Sequence, residues 1–237
     1  MEKAEERQGD GLLARIPEAM SAESAEPSVA VITSVIFDLS EVLLTGIKET
    51  GIDLGRTHGT DFSAVERGPS GAHNPLMLPA VWEFFHGNLS EDEYLAEVVR
   101  TYPAFGSHAY LKEHIRANFK EVQGTRDIVN RVRKAGYRLA LLSVHGREWI
   151  DYCETIYNLH ALFDVIVYSY IDKVSKPEPE AFLRTLARLE AQPQECLFVD
   201  DSERNIVAAQ NLGIEGILFT HAGALEADLR RLLPEFR

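Results

Sequence analysis

The sequence predicts an α/β fold: a doubly wound, parallel, Rossmann-like sheet with helices on both faces and a small α-helical insertion after the first strand. Three observations predict it. From Thr125 onward, short apolar runs alternate with amphipathic stretches of about 10 residues, the pattern of repeated strand–helix crossovers. Two apolar runs far apart in the chain, Val35-Ile36-Phe37 and Cys196-Leu197-Phe198-Val199, each end in carboxylates: Asp38 in the first, Asp200-Asp201 in the second. Between the first strand and Thr125 the apolar residues recur at helical spacing.

Taken in order, residues 1–28 read as an acidic tail rich in Glu, Ala and Ser, with one apolar island, Leu12-Leu13-Ala14-Arg15-Ile16. Such a composition predicts a disordered extension. Its acidity and lack of an apolar central region argue against a secretory or organelle-targeting signal. The apolar run from Val29 into Asp38 predicts a buried strand. Residues 50–73 are rich in Gly, Thr and Asp and read as loop. Pro79-Ala80-Val81-Trp82-Glu83-Phe84-Phe85 predicts a short amphipathic helix ending near Gly87-Asn88. Ser90 with Glu93 forms a capping box that opens a second helix, and Ser107 opens a third carrying Leu111, Ile115 and Phe119 at four-residue spacing. The core is therefore assigned to residues 29–46 and 123–237, and the helical cap to residues 47–122.

The second half of the core is regular. A helix bearing Ile128, Val129 and Val132 stops at Gly136 and feeds a strand over 137–142. A helix over 149–157 leads to a strand over 163–168, then a helix from Pro179 to Leu189 leads into the strand ending at Asp200. Ser202 is placed to cap the next helix and Gly213 to end it; a strand over 214–219 and a terminal helix through Leu233 complete the sheet.

Composition narrows the function. The formal charge of −13 argues against nucleic acid, which needs clustered Lys and Arg. No apolar run approaches the roughly 20 residues that span a bilayer, so no membrane role is expected. The two cysteines, Cys153 and Cys196, have no metal-site spacing and form no disulfide framework, which fits a reducing, cytoplasmic location. An anionic substrate would need a local positive site within this acidic chain.

Four short signals fall at the ends of successive strands: Asp38, Ser143, Lys176 within Ser175-Lys176-Pro177-Glu178-Pro179, and Asp200-Asp201. Strand C-termini of an open parallel sheet share one crevice, so these residues are expected to converge. Carboxylates suit a hard cation, and a hydroxyl, an ammonium and a carboxylate nucleophile suit phosphate chemistry.

In order and placement these motifs resemble the haloacid dehalogenase superfamily. Leu141-Leu142-Ser143, Lys176-Pro177-Glu178-Pro179-Glu180-Ala181-Phe182 and Phe198-Val199-Asp200-Asp201-Ser202 are most similar to a phosphatase branch. That branch includes the N-terminal phosphatase domain of soluble epoxide hydrolase and small sugar-phosphate phosphatases. The resemblance implies a Mg²⁺-dependent hydrolase acting on a small phosphorylated metabolite. Asp38 would be the nucleophile that becomes an aspartyl-phosphate. Mg²⁺ would be held by Asp38, the backbone carbonyl of Ser40 and Asp201, with Asp200 assisting. Ser143 would donate to the phosphoryl group and Lys176 would offset its charge. Apart from the resemblance, Arg147 could reach an anionic substrate, the other reading being a solvated arginine at a helix start.

The sequence departs from that pattern in two places. The family's phosphatases usually carry a second Asp two residues after the nucleophile, for protonating the leaving oxygen and activating water; here it is Ser40. Val144 follows Ser143 where related phosphatases often have Asn. Glu41 and His145, the latter on the loop expected to border the crevice, are the candidate stand-ins as acid or base, Glu41 being disfavoured because adjacent strand positions face opposite ways. The alternative is a protein that binds a phosphorylated ligand or a protein partner without efficient turnover. Metal-free dehalogenation fits poorly with Asp200-Asp201. Phosphonate cleavage needs a cap lysine, and neither Lys112 nor Lys120 has a recognisable motif around it.

Overall fold

The computed structural model describes residues 31–59 and 74–236; the tail's apolar island and the stretch 60–73 lie outside them. Among the described residues, no helix is long and apolar enough to cross a membrane.

The chain enters through β1 (Ser34–Phe37) and turns tightly into β2 (Leu44–Thr45). Four helices follow: α1 (Ile47–His58), α2 (Ala80–Phe85), α3 (Glu91–Thr101) and α4 (His108–Asn118). The chain returns through β3 (Lys120–Glu121), which pairs antiparallel with β2. The exit from and the return to the core are thus hydrogen-bonded side by side.

The core continues as α5 (Thr125–Lys134), β4 (Arg138–Ser143), α6 (Arg147–Tyr157), β5 (Val165–Tyr168) and α7 (Ser169–Asp172). It closes with α8 (Pro179–Leu189), β6 (Cys196–Asp200), α9 (Glu203–Asn211), β7 (Glu215–Leu218) and α10 (Ala222–Leu232). The five long strands form one parallel sheet in the order β5-β4-β1-β6-β7.

Both faces of this sheet are buried, as crossover helices require. The two-residue strand period divides the core. Val35, Phe37, Leu139, Leu141, Leu197 and Val199 join one cluster with the inserted helices, α5 and α6. Ile36, Ala140, Leu142, Cys196 and Phe198 join the other, against α8 and α9.

The structure corrects the loop expected over residues 50–73, because α1 extends through His58. Thr50 and Gly51, weak helix formers, are used here for contacts. Glu49 accepts from the Gly46 N–H at 2.9 Å, and the Thr50 hydroxyl donates to the Gly46 carbonyl. Gly51 leaves room for Asn74, whose amide donates to the Ile47 carbonyl and whose oxygen accepts from the Leu76 N–H. Tertiary packing overrides propensity here.

The insertion is fastened to the core at two places. Trp149 of α6 packs among Phe84, Phe85, Tyr94 and Phe119, and its indole donates to Glu91 at 2.9 Å. Glu91, with its side chain 3% exposed, also pairs with Arg116 at 2.8 Å and Lys112 at 3.5 Å. At the second place Ser169 donates to the Phe85 carbonyl at 2.6 Å, Ser175 Oγ lies 2.7 Å from His86 Nε2, and Lys173 bonds the His86 carbonyl.

Candidate active site

The strand register brings the carboxylates together. Phe37 is level with Leu141 on one side and Val199 on the other, so the next residue, Asp38, is level with Asp200 and one step short of Ser143. The Asp38 N–H donates to the Val199 carbonyl at 2.9 Å, and the Leu39 N–H donates back to Asp38 Oδ1 at 2.6 Å. Carboxylate oxygens of Asp38, Asp200 and Asp201 all lie within 4.8 Å of one another.

Lys176 sits among them. Its Nζ is 2.6 Å from Asp38 Oδ1 and 2.6 Å from Asp200 Oδ2, and its side chain is 3% exposed. Asp200 is fully buried and saturated: it also accepts from the Ser202 N–H at 2.8 Å and from Asn205 at 3.0 and 3.1 Å. This revises the sequence reading of Ser202. It occupies the helix N-cap position, but its side chain makes no cap bond, and the Asp200 carboxylate takes its N–H. Asn205, which no motif flagged, fixes the Asp200 carboxylate. Asp201 lies at the rim, open on one side.

Three carboxylates and one ammonium give this cluster a formal charge of −2 if all are ionised. Burial pushes the Asp38 carboxyl up to about 8; Lys176 opposes this, while Asp200 and Asp201 reinforce it. Burial and Asp200 also raise the Asp201 carboxyl. For Lys176, burial works against the charged form, but Asp200 and Asp38 prevail and its pKa rises. A buried site that keeps its lysine charged and crowds its acids with uncompensated negative charge is suited to a small divalent cation with oxygen ligands.

Ser143 ends β4 with its hydroxyl buried and unpartnered among the described residues. Buried polar groups rarely go unsatisfied, so an orphan hydroxyl at the end of this strand marks a place for a ligand atom.

The other sequence-flagged residues fall differently. Ser40 is half-buried in the turn after β1. Glu41 is in that turn as well, at φ 61°, with its N–H donating to the Leu44 carbonyl. The strand ends at Phe37, so strand alternation does not govern Glu41; with Ser40 it lines a small cleft against Leu44, Ile47, Phe119 and His145. Burial, helped by Glu49 and opposed by Lys48, pushes the Glu41 carboxyl up to about 7.

His145 is no exposed loop residue. It is 1% exposed and ringed by Phe85, Phe119 and Trp149. Burial pulls its imidazole down to about 4, with only the Gly146 carbonyl opposing, so it is neutral at pH 7. Arg147 turns its guanidinium over the Tyr170 ring, 4.7 Å from the centroid. Among the described ion pairs, none joins Arg147 to the carboxylates.

Comparison with known proteins agrees with this architecture. The family model described as haloacid dehalogenase-like hydrolase matches residues 86–219, more than half of the chain. A pyrophosphatase, PpaX, of Bacillus cereus is 25% identical over 209 residues, which are 86% of this chain and 91% of that protein. Among solved structures, a predicted HAD-like family hydrolase of Porphyromonas gingivalis superposes with a TM-score of 0.68 at 24% identity, covering 86% of this chain and 98% of its own. A HAD family enzyme of Bacteroides thetaiotaomicron, crystallised with magnesium and inorganic phosphate, gives a TM-score of 0.63 at 22% identity over 80% of this chain and 95% of its own. By this match and the fold it shares, the chain belongs to the haloacid dehalogenase-like hydrolases.

Proposed function

We propose that the chain is a phosphatase that transfers the phosphoryl group of a small phosphorylated metabolite to Asp38 and then releases it to water. The observation that carries this reading is the buried Asp38–Lys176–Asp200 cluster, with the orphan hydroxyl of Ser143 at the end of the neighbouring strand. In the first step an Asp38 oxygen attacks phosphorus and the ester or anhydride oxygen leaves with the bonding pair. In the second, water adds to the phosphorus of the aspartyl-phosphate and frees the carboxylate and inorganic phosphate. Ser143 donates to a phosphoryl oxygen. Lys176 offsets the charge gathered there, as phosphoryl transfer is largely positioning and electrostatic stabilisation.

The donor set fits Mg²⁺: hard oxygens only, with a formal cluster charge of −2 when all three acids are ionised, which a divalent ion would neutralise. Asp38, the Ser40 carbonyl and Asp201 would hold it, with Asp200 assisting through its grip on Lys176. When bound, the ion supplies positive charge beside the transferring oxygens. The magnesium and phosphate in the Bacteroides relative and the pyrophosphatase name of the Bacillus relatives support this chemistry. The inserted helices act as the cap over the site.

A second reading, ligand binding with little turnover, draws on Ser40 and Val144. The two are separated by measuring phosphate release from a panel of phosphate esters and anhydrides, with Mg²⁺ and with chelator, in wild type and Asp38→Asn. Mg²⁺-dependent release that Asp38→Asn abolishes supports the enzyme. Tight binding of phosphate esters with no Asp38-dependent release on any of them favours the binder.

A further inference from the structure

The second fastening of the insertion falls on the segment that delivers Lys176. Helix α2 ends at Phe85, and the last carbonyls of a helix have no partner within it. Two carbonyls at this end are satisfied from the core: that of Phe85 by the Ser169 hydroxyl at 2.6 Å, and that of His86 by the Lys173 ammonium. The His86 ring meets Ser175, Nε2 lying 2.7 Å from Oγ. Gly87, at φ 67°, permits the close approach, since a Cβ there would stand 3.0 Å from the Tyr170 carbonyl oxygen. The buried Ser169 hydroxyl also accepts from the N–H of His145, two residues past Ser143, at 3.1 Å. The end of α2 is thus bonded to the segment before Lys176 and, through one hydroxyl, to the loop after Ser143.

Lys176 follows Ser175 directly. A turn encloses its backbone, the Glu178 N–H donating to the Ser175 carbonyl at 2.8 Å, and its Nζ lies 5.5 Å from the centroid of the Phe198 ring. The preceding α7 is a single turn, too short to hold its own shape. From the core side Arg188 of α8 grips it at Asp172, at 3.0 Å, and Val174 joins the core against α8 and α9. The Ser175 hydroxyl goes instead to the insertion. We propose that His86 is a positioning residue: by holding Ser175 it sets the turn from which Lys176 reaches Asp38 and Asp200. The insertion then takes part in placing the charge that phosphoryl transfer needs, besides covering the site. The proposal rests on the phosphatase reading above and adds a residue of the insertion to that site. The tolerance is narrow, because Nζ stands 2.6 Å from each carboxylate, and a misplacement of about 1 Å in such a site costs up to about 10²-fold in rate.

The test uses the full-length protein with Mg²⁺ and acetyl phosphate, with Asp38→Asn as the blank. His86→Leu and Ser175→Ala each remove the bond, whereas the amide of His86→Gln keeps a donor and an acceptor there. The expected result is a kcat about tenfold lower in His86→Leu, in Ser175→Ala and in the double variant alike, with KM within about twofold of wild type. His86→Gln should recover most of the loss. Glu91→Gln, which loosens the other fastening of the same insertion, should leave kcat within about twofold. An unchanged kcat in His86→Leu, an equal loss in Glu91→Gln, a loss carried by KM, or one that His86→Gln does not recover overturns the proposal. A second arm needs no turnover. In denaturant titrations with chelator, His86→Leu should cost about threefold or more less in the unfolding equilibrium constant when Lys176 is already Met; additivity within about twofold overturns the proposal. Should Lys176→Met not fold, amide exchange at Glu178 takes its place: it should quicken in His86→Leu and not in Glu91→Gln, and no difference between them overturns the proposal. If phosphate release is nowhere Asp38-dependent, the phosphatase reading fails, and this second arm alone decides whether His86 positions Lys176.

Discussion

Replacing Lys176 by Met keeps most of the stem volume and removes the charge that lies 2.6 Å from both Asp38 and Asp200. Breaking a buried pair by deleting one partner costs about 3–5 kcal/mol, because the remaining charge is stranded. Two features of the site bound the loss. Asp200 retains bonds from Ser202 and Asn205, so it is not left bare. A stranded carboxylate can also take up a proton; for an ordinary carboxyl near 4 this costs about 4 kcal/mol at pH 7. A destabilisation of about 3–4 kcal/mol in chelator follows, and at about 2–4 °C per kcal/mol the melting temperature should fall by roughly 6–16 °C. Burial already raises the wild-type Asp38 carboxyl to about 8, so both folded proteins hold that proton below pH 7 and the gap from wild type should not widen between pH 7 and pH 5. Mg²⁺ should raise the melting temperature of both proteins, and more in the mutant, whose carboxylates have lost their internal cation. Denaturant titration with and without chelator at both pH values measures all of this. A mutant as stable as wild type in chelator at pH 7, or a gap that widens on acidification, would refute the electrostatic account of the cluster.

Three further outcomes are expected. Ser40→Asp should raise steady-state phosphate release by one to several powers of ten, within the usual acid–base range of about 10²–10⁴-fold; if it gains nothing while wild type turns over briskly, Glu41 supplies the proton and Glu41→Gln should then slow the reaction. His145 has a folded-state pKa of about 4, below the unfolded value near 6.5, so its contribution is complete above pH 6.5 and is lost as pH falls toward 4. That loss is roughly 3 kcal/mol, and unfolding curves of His145→Phe over this range should lack it. Gly146→Ala should destabilise by about 1–3 kcal/mol, because a Cβ there overlaps the Phe84 ring where the insertion meets the core; a neutral result by thermal melting would mean that this contact yields freely.

Much of this architecture was legible because its physics is local. Alternating apolar runs gave the sheet, and the Ser90–Glu93 box marks the start of α3 as observed. The strand-end placement of Asp38, Ser143 and Asp200 followed from parallel topology, whereas Lys176 lies beyond β5 and α7, in the loop before α8, and reaches back to the carboxylates. What escaped was set by long-range packing. The helix α1 was hidden by Thr50, Gly51, Asp53 and Gly55, and its start is held by Glu49 and Asn74 through contacts that no propensity scale contains. Glu91 is one of three acids in the first turn of α3 and carries no motif, yet it binds Arg116 within the insertion and Trp149 across its boundary. Its partners lie 25 and 58 positions away, beyond any spacing rule. His145 was judged by its loop position, whereas the aromatic rings of the insertion bury it.

The central claim, phosphoryl transfer to Asp38, is tested most directly by trapping the intermediate. The protein is mixed with acetyl phosphate and Mg²⁺, quenched in acid within the first turnover, digested and examined by mass spectrometry. The account predicts a phosphoryl adduct on the peptide that contains Asp38, absent from Asp38→Asn and longer-lived in wild type than in Ser40→Asp, because the wild-type site lacks the residue that would activate water. An adduct on another residue, or equal phosphate release from Asp38→Asn, would contradict it.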